Sequence, residues 1–208
     1  MIKLLQGYHR SDNPDLFAEM FRHRKAIFCD QKKWDVKIVD NEFEIDEFDR
    51  EDTAYLMSLD EDGRLVGSVR LLTTLNEHML SGPFKPMFPD IQFVSPATWE
   101  ASRFVVVGDG KTQPNNVSTA ACEVLLGMCR FGLDHGVSFI TAVYDVAMSR
   151  LYRRCGLWNV ELGRYRTPQH GAVFVGLWEI SDALEASILR ATGLGTADSG
   201  RHAEEDAA

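Results

Sequence analysis

The stretch TAYLMSLDEDGRLVGSVRLL, residues 53–72, reads as two strands about a tight turn. The arms 53–59 and 65–72 are predominantly apolar, and the Asp62-Gly63 pair between them is a strong signal for a hairpin reversal. An antiparallel sheet is therefore the frame on which the rest of the chain is read. Downstream, TWEASRFVVV, residues 98–107, supplies the next strand. Val105, Val106 and Val107 suit a strand covered on both faces, an interior that rarely tolerates charge unless it is paired or used. Glu100 and Arg103 stand at its head. Side chains three apart on a regular strand point to opposite faces, so the two share a site only if a bulge intervenes near Ala101 or Ser102. A structural ion pair and a catalytic pair both remain open at this point.

The other segments fill in around this sheet. Residues 2–6, IKLLQ, form a short first strand, and the turn SDNPD leads into a helix from Pro14 to about Phe28, where Leu16, Met20, Phe21, Ile27 and Phe28 recur at roughly helical spacing. The segment 30–52 has little periodicity and an acidic second half, which predicts a long loop. Residues 73–90 read as loop with one helical turn. After the polar break GDGKTQPNN, Val117, Ala121, Val124, Met128 and Phe131 mark the buried stripe of a helix ending near His135. A strand at 137–144, a helix at 147–155, strands at 156–165 and 171–180 and a helix at 181–189 follow. The fold class is α/β, a sandwich with a largely antiparallel sheet. A single domain is expected over 1–192, with a polar tail at 193–208 expected to be disordered.

Composition narrows the functions. The chain has 208 residues, is 45% hydrophobic and carries a formal net charge of −9. That length and composition can bury one sizeable core. Its negative field argues against nucleic acid as the main partner. Four cysteines without a C-x-x-C pair and six scattered histidines give no metal-ligand spacing, so no metal is expected. No apolar run reaches the roughly 18 residues of a membrane span, and the N-terminus is too short in its apolar part for a secretory signal, so a cytoplasmic protein with reduced thiols and no membrane partner is expected.

Other residues invite chemistry. Asp46 and Asp49 lie in EIDEFD, with Arg24, Arg70 and Arg103 elsewhere to neutralise them, although acidic clusters are commonly solvated faces. Phe28 suits a core, whereas Trp34 in a polar loop suits a lid or a ligand contact. The glycines of GDG are too few for a phosphate cradle. Arg150, Arg153 and Arg154 share one side of a helix, a solvated face or a dock for an acidic partner.

Taken in order, Arg24, Phe28 and Trp34 in RKAIFCDQKKW, Asp46 and Asp49 in DEFD, Arg70 in VRLL, Phe84 in GPF, and Glu100 with Arg103 in WEASRF resemble the acyl-homoserine lactone synthases, the autoinducer synthase family of bacterial quorum sensing. The resemblance is dense over residues 15–110 and looser to the last strand. It implies an N-acetyltransferase-like sandwich whose mixed sheet opens where two central strands splay apart. It also implies two substrates, S-adenosylmethionine and an acyl thioester on acyl carrier protein or coenzyme A, with no tightly bound cofactor. Glu100 would then be the general base, directly or through a water. Phe28 and Trp34 would face the sulfonium. Arg24, Asp46, Asp49, Arg70 and Arg103 would form a charge network ordering the loop over the site, with Phe84 in the same substrate site. Val105, Leu125, Met128 and Ala142 would line the acyl pocket, and Arg150, Arg153 and Arg154 would dock the acidic carrier. Members that prefer 3-oxo chains have a threonine where Ala142 stands here, with Thr141 on the opposite face; unsubstituted or 3-hydroxy chains are therefore expected. Two readings compete: a coenzyme A-dependent N-acetyltransferase of the same fold, for which GDGKTQP is a poor pyrophosphate loop, and a non-catalytic acyl-binding module.

Overall fold

The structure is a computed structural model that describes residues 1–108, 110–168 and 171–195. Most of the expected tail, residues 196–208, lies outside the described residues. In chain order the elements are β1 (Ile2–Gln6), a 3-10 turn (Gly7–Ser11), α1 (Pro14–Arg24), a π-helical turn (Lys25–Gln31), β2 (Ile38–Val39), β3 (Phe43–Glu44), β4 (Ala54–Leu59), β5 (Leu65–Thr73), β6 (Thr98–Val106), α2 (Thr119–His135), β7 (Phe139–Asp145), α3 (Val146–Arg154), β8 (Val160–Thr167), β9 (Gly171–Glu179) and α4 (Asp182–Thr192).

The hairpin β4–β5 forms as its sequence requires. Asp60 accepts from the backbone N–H groups of Asp62 and Arg64, and Gly63 takes the positive φ of 79° that a side chain would resist. Alternation along β4 then divides the core. Ala54 and Leu56 face the cluster built on α2, while Tyr55, Met57 and Leu59 face Phe17, Met20 and Phe21 of α1. Helices thus cover both sides of one seven-stranded sheet, ordered β1-β4-β5-β6-β7-β9-β8.

The sheet is mixed. Its neighbours pair antiparallel except β6 and β7, which run parallel. That pair holds only at Thr98–Phe139, Trp99–Ile140 and Glu100–Thr141, although β6 continues to Val106 and β7 to Asp145. Beyond Glu100 the two strands part, leaving a V-shaped opening through the sheet.

Three local features depart from the sequence reading. The helix expected to reach Phe28 changes at Lys25 into a π-helical turn, with the Lys32 N–H donating to the Ile27 carbonyl. Single π-helical turns of this kind recur at functional sites, because the wider turn re-aims a side chain; here that side chain is Phe28. The expected loop 30–52 contains the small hairpin β2–β3, whose turn residues Asp40 and Asn41 have φ of 52° and 56°. Two-residue strands fall below what periodicity can register. Finally, the bulge in β6 sits later than Ala101 or Ser102: Ser102 pairs with Arg70 and Val105 with Ser68, so Arg103 and Phe104 together oppose Val69.

All four cysteines are free; Cys122 and Cys155 bring their sulfurs to 3.9 Å. No described helix is long and apolar enough to cross a membrane. Among the described residues no group of three or more His, Cys, Asp or Glu side chains could hold a metal ion.

Candidate active site

The bulge in β6 decides which side chains meet. Arg103 takes a φ of 53°, a left-handed conformation uncommon for a residue with a side chain. The extra residue turns Arg103 to the same opening that Glu100 faces, and both line one cavity at the splay of β6 and β7. The regular-strand argument would have kept them apart.

Glu100 is 1% exposed and stands at the last paired position before the strands diverge. Both its carboxylate oxygens accept from the Leu80 backbone N–H, at 3.0 and 3.2 Å. Burial pushes this carboxyl up to about 8, against the lowering influence of the Leu80 N–H and of Arg70 and Arg103. A carboxyl so placed exchanges its proton near neutral pH, the condition for a general base.

Beside it lies a network of three arginines and three acids. Arg24, at the end of α1, grips both oxygens of Asp49 at 2.7 and 2.8 Å and also donates to Glu44. Arg70 binds Asp46, lies 3.1 Å from Asp49, and donates to Ser102 Oγ and to the Met79 sulfur. Arg103 reaches Glu44 Oε1 through Nε and Nη2 at 3.0 and 2.9 Å, and Asp46 at 2.8 Å. Tyr55 donates to Asp49 at 2.8 Å. Burial works against the charge on Asp49, yet Arg24 and Arg70 outweigh it and hold its carboxyl well below the usual carboxylate range. The charges cancel three against three, which is how six ionised groups persist in an interior.

Glu44 was absent from the residues singled out by sequence, yet it is fully buried and joins Arg24 to Arg103. One signal was available: three arginines set against Asp46 and Asp49 leave one positive charge over, which calls for a third carboxylate. In the sequence Glu44 is one more charge in the acidic run that holds Asp46 and Asp49, a pattern that reads as a solvated face.

The cavity passes through the sheet and has two halves. On the side of α1 it is lined by Phe28, Trp34, Met79, Phe84, Glu100 and Arg103. Phe28 and Trp34 stack on each other at 5.1 Å and 15°. Two cations already attend them, Arg103 at 5.4 Å from the Phe28 ring and Lys32 at 4.9 Å from Trp34. Lys32 also bridges to Asp145 at 2.7 Å, linking this segment to the cap of α3 across the opening. On the side of α2 the lining is Ala101, Phe104, Met128, Ala142, Tyr144 and Tyr152.

Two expected pocket residues fall elsewhere. Leu125 is 0% exposed inside the α2 core, and Val105, 2% exposed, is turned to the opposite face of the sheet from its neighbours Phe104 and Val106, which pack on that core; neither lines the cavity. The late bulge brings Phe104 to the opening in place of Val105, and Met128, nearly one turn beyond Leu125, is the α2 side chain that reaches it. Ala142 does line the cavity, while the Thr141 hydroxyl donates to the Gly176 carbonyl at 2.9 Å. Arg150, Arg153 and Arg154 are all exposed on α3. A wider crevice bounded by Tyr8, Phe17 and Arg50 reaches the back of Asp49 and Tyr55, but not Glu100 or Arg103.

The arrangement can hold a small cationic substrate on one side, admit an extended chain through the splay, and take a proton between them. The autoinducer synthase family profile matches residues 8–186. The chain is 42% identical to an acyl-homoserine-lactone synthase of Rhizobium etli over 186 residues, covering 87% of this chain and 85% of that one. It superposes on MesI, a CoA-dependent acyl-homoserine lactone synthase, with a TM-score of 0.82 at 27% identity, covering 96% and 100% of the two chains. BjaI, a CoA-dependent synthase solved with SAM and isopentyl-CoA, gives a TM-score of 0.80 at 24% identity, covering 94% and 90%. The wider fold is shared with an acyl-CoA N-acyltransferase from Pseudomonas aeruginosa at a TM-score of 0.51 and 16% identity, covering 86% and 99%.

Proposed function

On the premise that this chain belongs to the autoinducer synthase family and is an acyl-homoserine-lactone synthase, we propose that the cavity at the splay of β6 and β7 acylates S-adenosylmethionine, with Glu100 as the general base. The observation that carries this reading is the meeting of Glu100 and Arg103 in one buried cavity across a bulge. The substrate amine loses a proton to Glu100, directly or through a water, and attacks the thioester carbonyl; the carrier thiol leaves. The substrate carboxylate then displaces methylthioadenosine at its own γ-carbon, closing the lactone. No protein group need become covalently bound, so the contribution of the chain is positioning and exclusion of water.

S-adenosylmethionine lies in the α1-side half of the cavity in this account. The Phe28–Trp34 stack and Phe84 border its sulfonium, and the network of Arg24, Arg70, Arg103, Glu44, Asp46 and Asp49 holds the covering segment in place. The acyl chain occupies the half lined by Met128 and Ala142. Neither Ala142 nor the engaged Thr141 hydroxyl offers a donor to a 3-oxo group, which favours unsubstituted or 3-hydroxy chains.

The acyl donor is carried on acyl carrier protein, and the support is the exposed trio Arg150, Arg153 and Arg154 on an otherwise acidic chain. A coenzyme A donor is the second reading, favoured by the similarity to MesI. Purified protein incubated with S-adenosylmethionine and matched carrier and coenzyme A thioesters should yield lactone and methylthioadenosine in equal amounts, faster from the carrier. Faster turnover from coenzyme A would reverse the donor assignment. Acylated amine without methylthioadenosine would instead mark a plain N-acyltransferase.

A further inference from the structure

Both oxygens of Glu100 accept from the Leu80 N–H, and that N–H belongs to no strand or helix. It is carried by the turn HMLSGPF, residues 78–84, so whatever fixes the turn fixes the donor. The turn is built on His78. Its backbone N–H donates to Ser81 Oγ at 2.9 Å, and its carbonyl accepts from the Gly82 N–H at 2.9 Å and from the Ser81 hydroxyl at 3.1 Å. The His78 ring is 2% exposed, does not line the cavity, and sets Nδ1 2.9 Å from the Asn76 carbonyl, with Ser81 Oγ at 3.2 Å. A carbonyl can only accept, so Nδ1 carries the proton. Nε2 has no partner among the described residues, which makes the Nδ1 side the polar attachment of the ring. An apolar ring would fill the same space without that attachment. The anchorage continues outward: the Asn76 side-chain amide donates to Asp52 at 3.0 Å, and Arg50 donates to the Glu77 carbonyl at 3.1 Å, both tying the turn to the segment that follows Asp49.

We propose that His78 is a positioning residue for acyl transfer: its Nδ1–H bond to the Asn76 carbonyl fixes the turn that aims the Leu80 N–H at Glu100. This rests on the reading above of Glu100 as the general base. Glu100 is also acted on by Arg70 from β5, by Arg103 from its own strand and by the Met79 N–H from the same turn, and all of these favour its ionised form together with the Leu80 N–H. Releasing the turn withdraws the backbone share and leaves the two arginines, so Glu100 holds its proton more firmly and its titration moves upward from about 8. His78 does not itself titrate in that range. Arg50 and Glu77 are the charged groups beside it, and burial lowers its pKa below that of an ordinary histidine, so the ring is neutral where Glu100 ionises.

The test follows the Glu100 carboxyl by carbon-13 NMR in protein labelled at its glutamate carboxyls, the signal being assigned by its loss in Glu100→Gln, beside the pH dependence of kcat/KM for lactone formation. In His78→Phe both midpoints should rise by about one unit, kcat/KM at pH 7 should fall about tenfold, and the high-pH plateau should stay within about twofold. His78→Asn, whose side-chain amide can donate to Asn76 in place of Nδ1, should return both midpoints to within about 0.3 unit of the unmodified protein. Ser81→Ala removes the acceptor of the His78 N–H and should shift them in the same direction as His78→Phe, which keeps the test open if that variant does not fold. A plateau that drops at an unmoved midpoint would make His78 a packing residue and overturn the proposal, as would an asparagine variant that behaves like the phenylalanine one. The two readings fail differently. A carboxyl that shifts as stated, in a protein whose activity shows no limb lost in Glu100→Gln, would overturn the general-base reading and with it the catalytic consequence of the turn; a limb that belongs to Glu100 but does not move in the His78 and Ser81 variants would overturn the role of His78 alone.

Discussion

Glu100 and Arg103 have the same spacing in the sequence as any pair three apart, and what makes them partners is a single inserted residue. Arg103 accepts a left-handed backbone, a conformation that costs of order 1–3 kcal/mol, and it is held there by bonds to Glu44 and Asp46. Glu100 is buried among apolar walls with one backbone N–H on both its oxygens, so its neutral form is favoured up to about pH 8. The sign of two pH effects follows. The base must be ionised to act, so kcat/KM should rise with pH along a limb with a midpoint near 8 in the free protein, measured with S-adenosylmethionine varied below saturation. Glu100→Gln should remove that limb along with most of the activity; a limb that survives in the variant would belong to another group. Stability runs the other way. The folded form holds a proton that the unfolded chain has released above about 4.5, so this contribution is full below that value and is lost as the pH rises through about 8.

At the scale of elements, the charge network ties four pieces of chain together: the end of α1, the hairpin β2–β3 with the turn after it, and the central strands β5 and β6. Glu44 is the member that joins Arg24 to Arg103, and its substitution exposes how the balance works. Glu44→Gln leaves the buried Arg24 and Arg70 and the partly buried Arg103 against two carboxylates and should destabilise the fold by about 3–5 kcal/mol, read as a lowered urea midpoint at unchanged slope. A shift below about 1 kcal/mol would mean that the network is solvated when the protein moves. Because Arg24 and Arg70 hold Asp49 below the ordinary carboxylate range, its contribution is present above pH 3.8 and should begin to fall away on acidification past that value. The sequence displayed five of the six members, because they belong to the ordered set from Arg24 to Arg103 that carries the resemblance. It did not display Glu44, which stands outside that ordered set, nor the two-residue strand that points it inward.

For the whole molecule, the largely antiparallel sandwich was legible because the hairpin at 53–72, the strand at 98–107 and the helices that follow each carry strong periodic signals, whereas the splay was implied only by the resemblance. The site within the sheet was legible only in outline. Periodicity reports which face of a regular strand is buried, and β6 is irregular at the step that turns Val105 away from the cavity where the resemblance would put it. Leu125 was misplaced for a related reason: one apolar stripe on α2 serves both the core and the cavity, and only the packing shows that Met128 reaches the latter. The α3 face is open to a direct test at this scale. Reversing Arg150, Arg153 and Arg154 together to glutamate should lower kcat/KM for the carrier-protein thioester about 10- to 100-fold, in a manner that weakens with salt, and leave the coenzyme A thioester within about twofold. Equal loss with both donors would remove the docking role and leave a merely solvated face.

The central claim is that Glu100, at the vertex of the splayed strands, takes the proton that starts acyl transfer. Its most direct measurement sets single-turnover lactone and methylthioadenosine formation beside S-adenosylmethionine binding, for the unmodified protein and Glu100→Gln at one pH. The account predicts a rate lowered by about 100-fold or more with both products lost together, and S-adenosylmethionine affinity within about threefold. Equal losses in rate and affinity, or a variant that turns over at the unmodified rate, would contradict it.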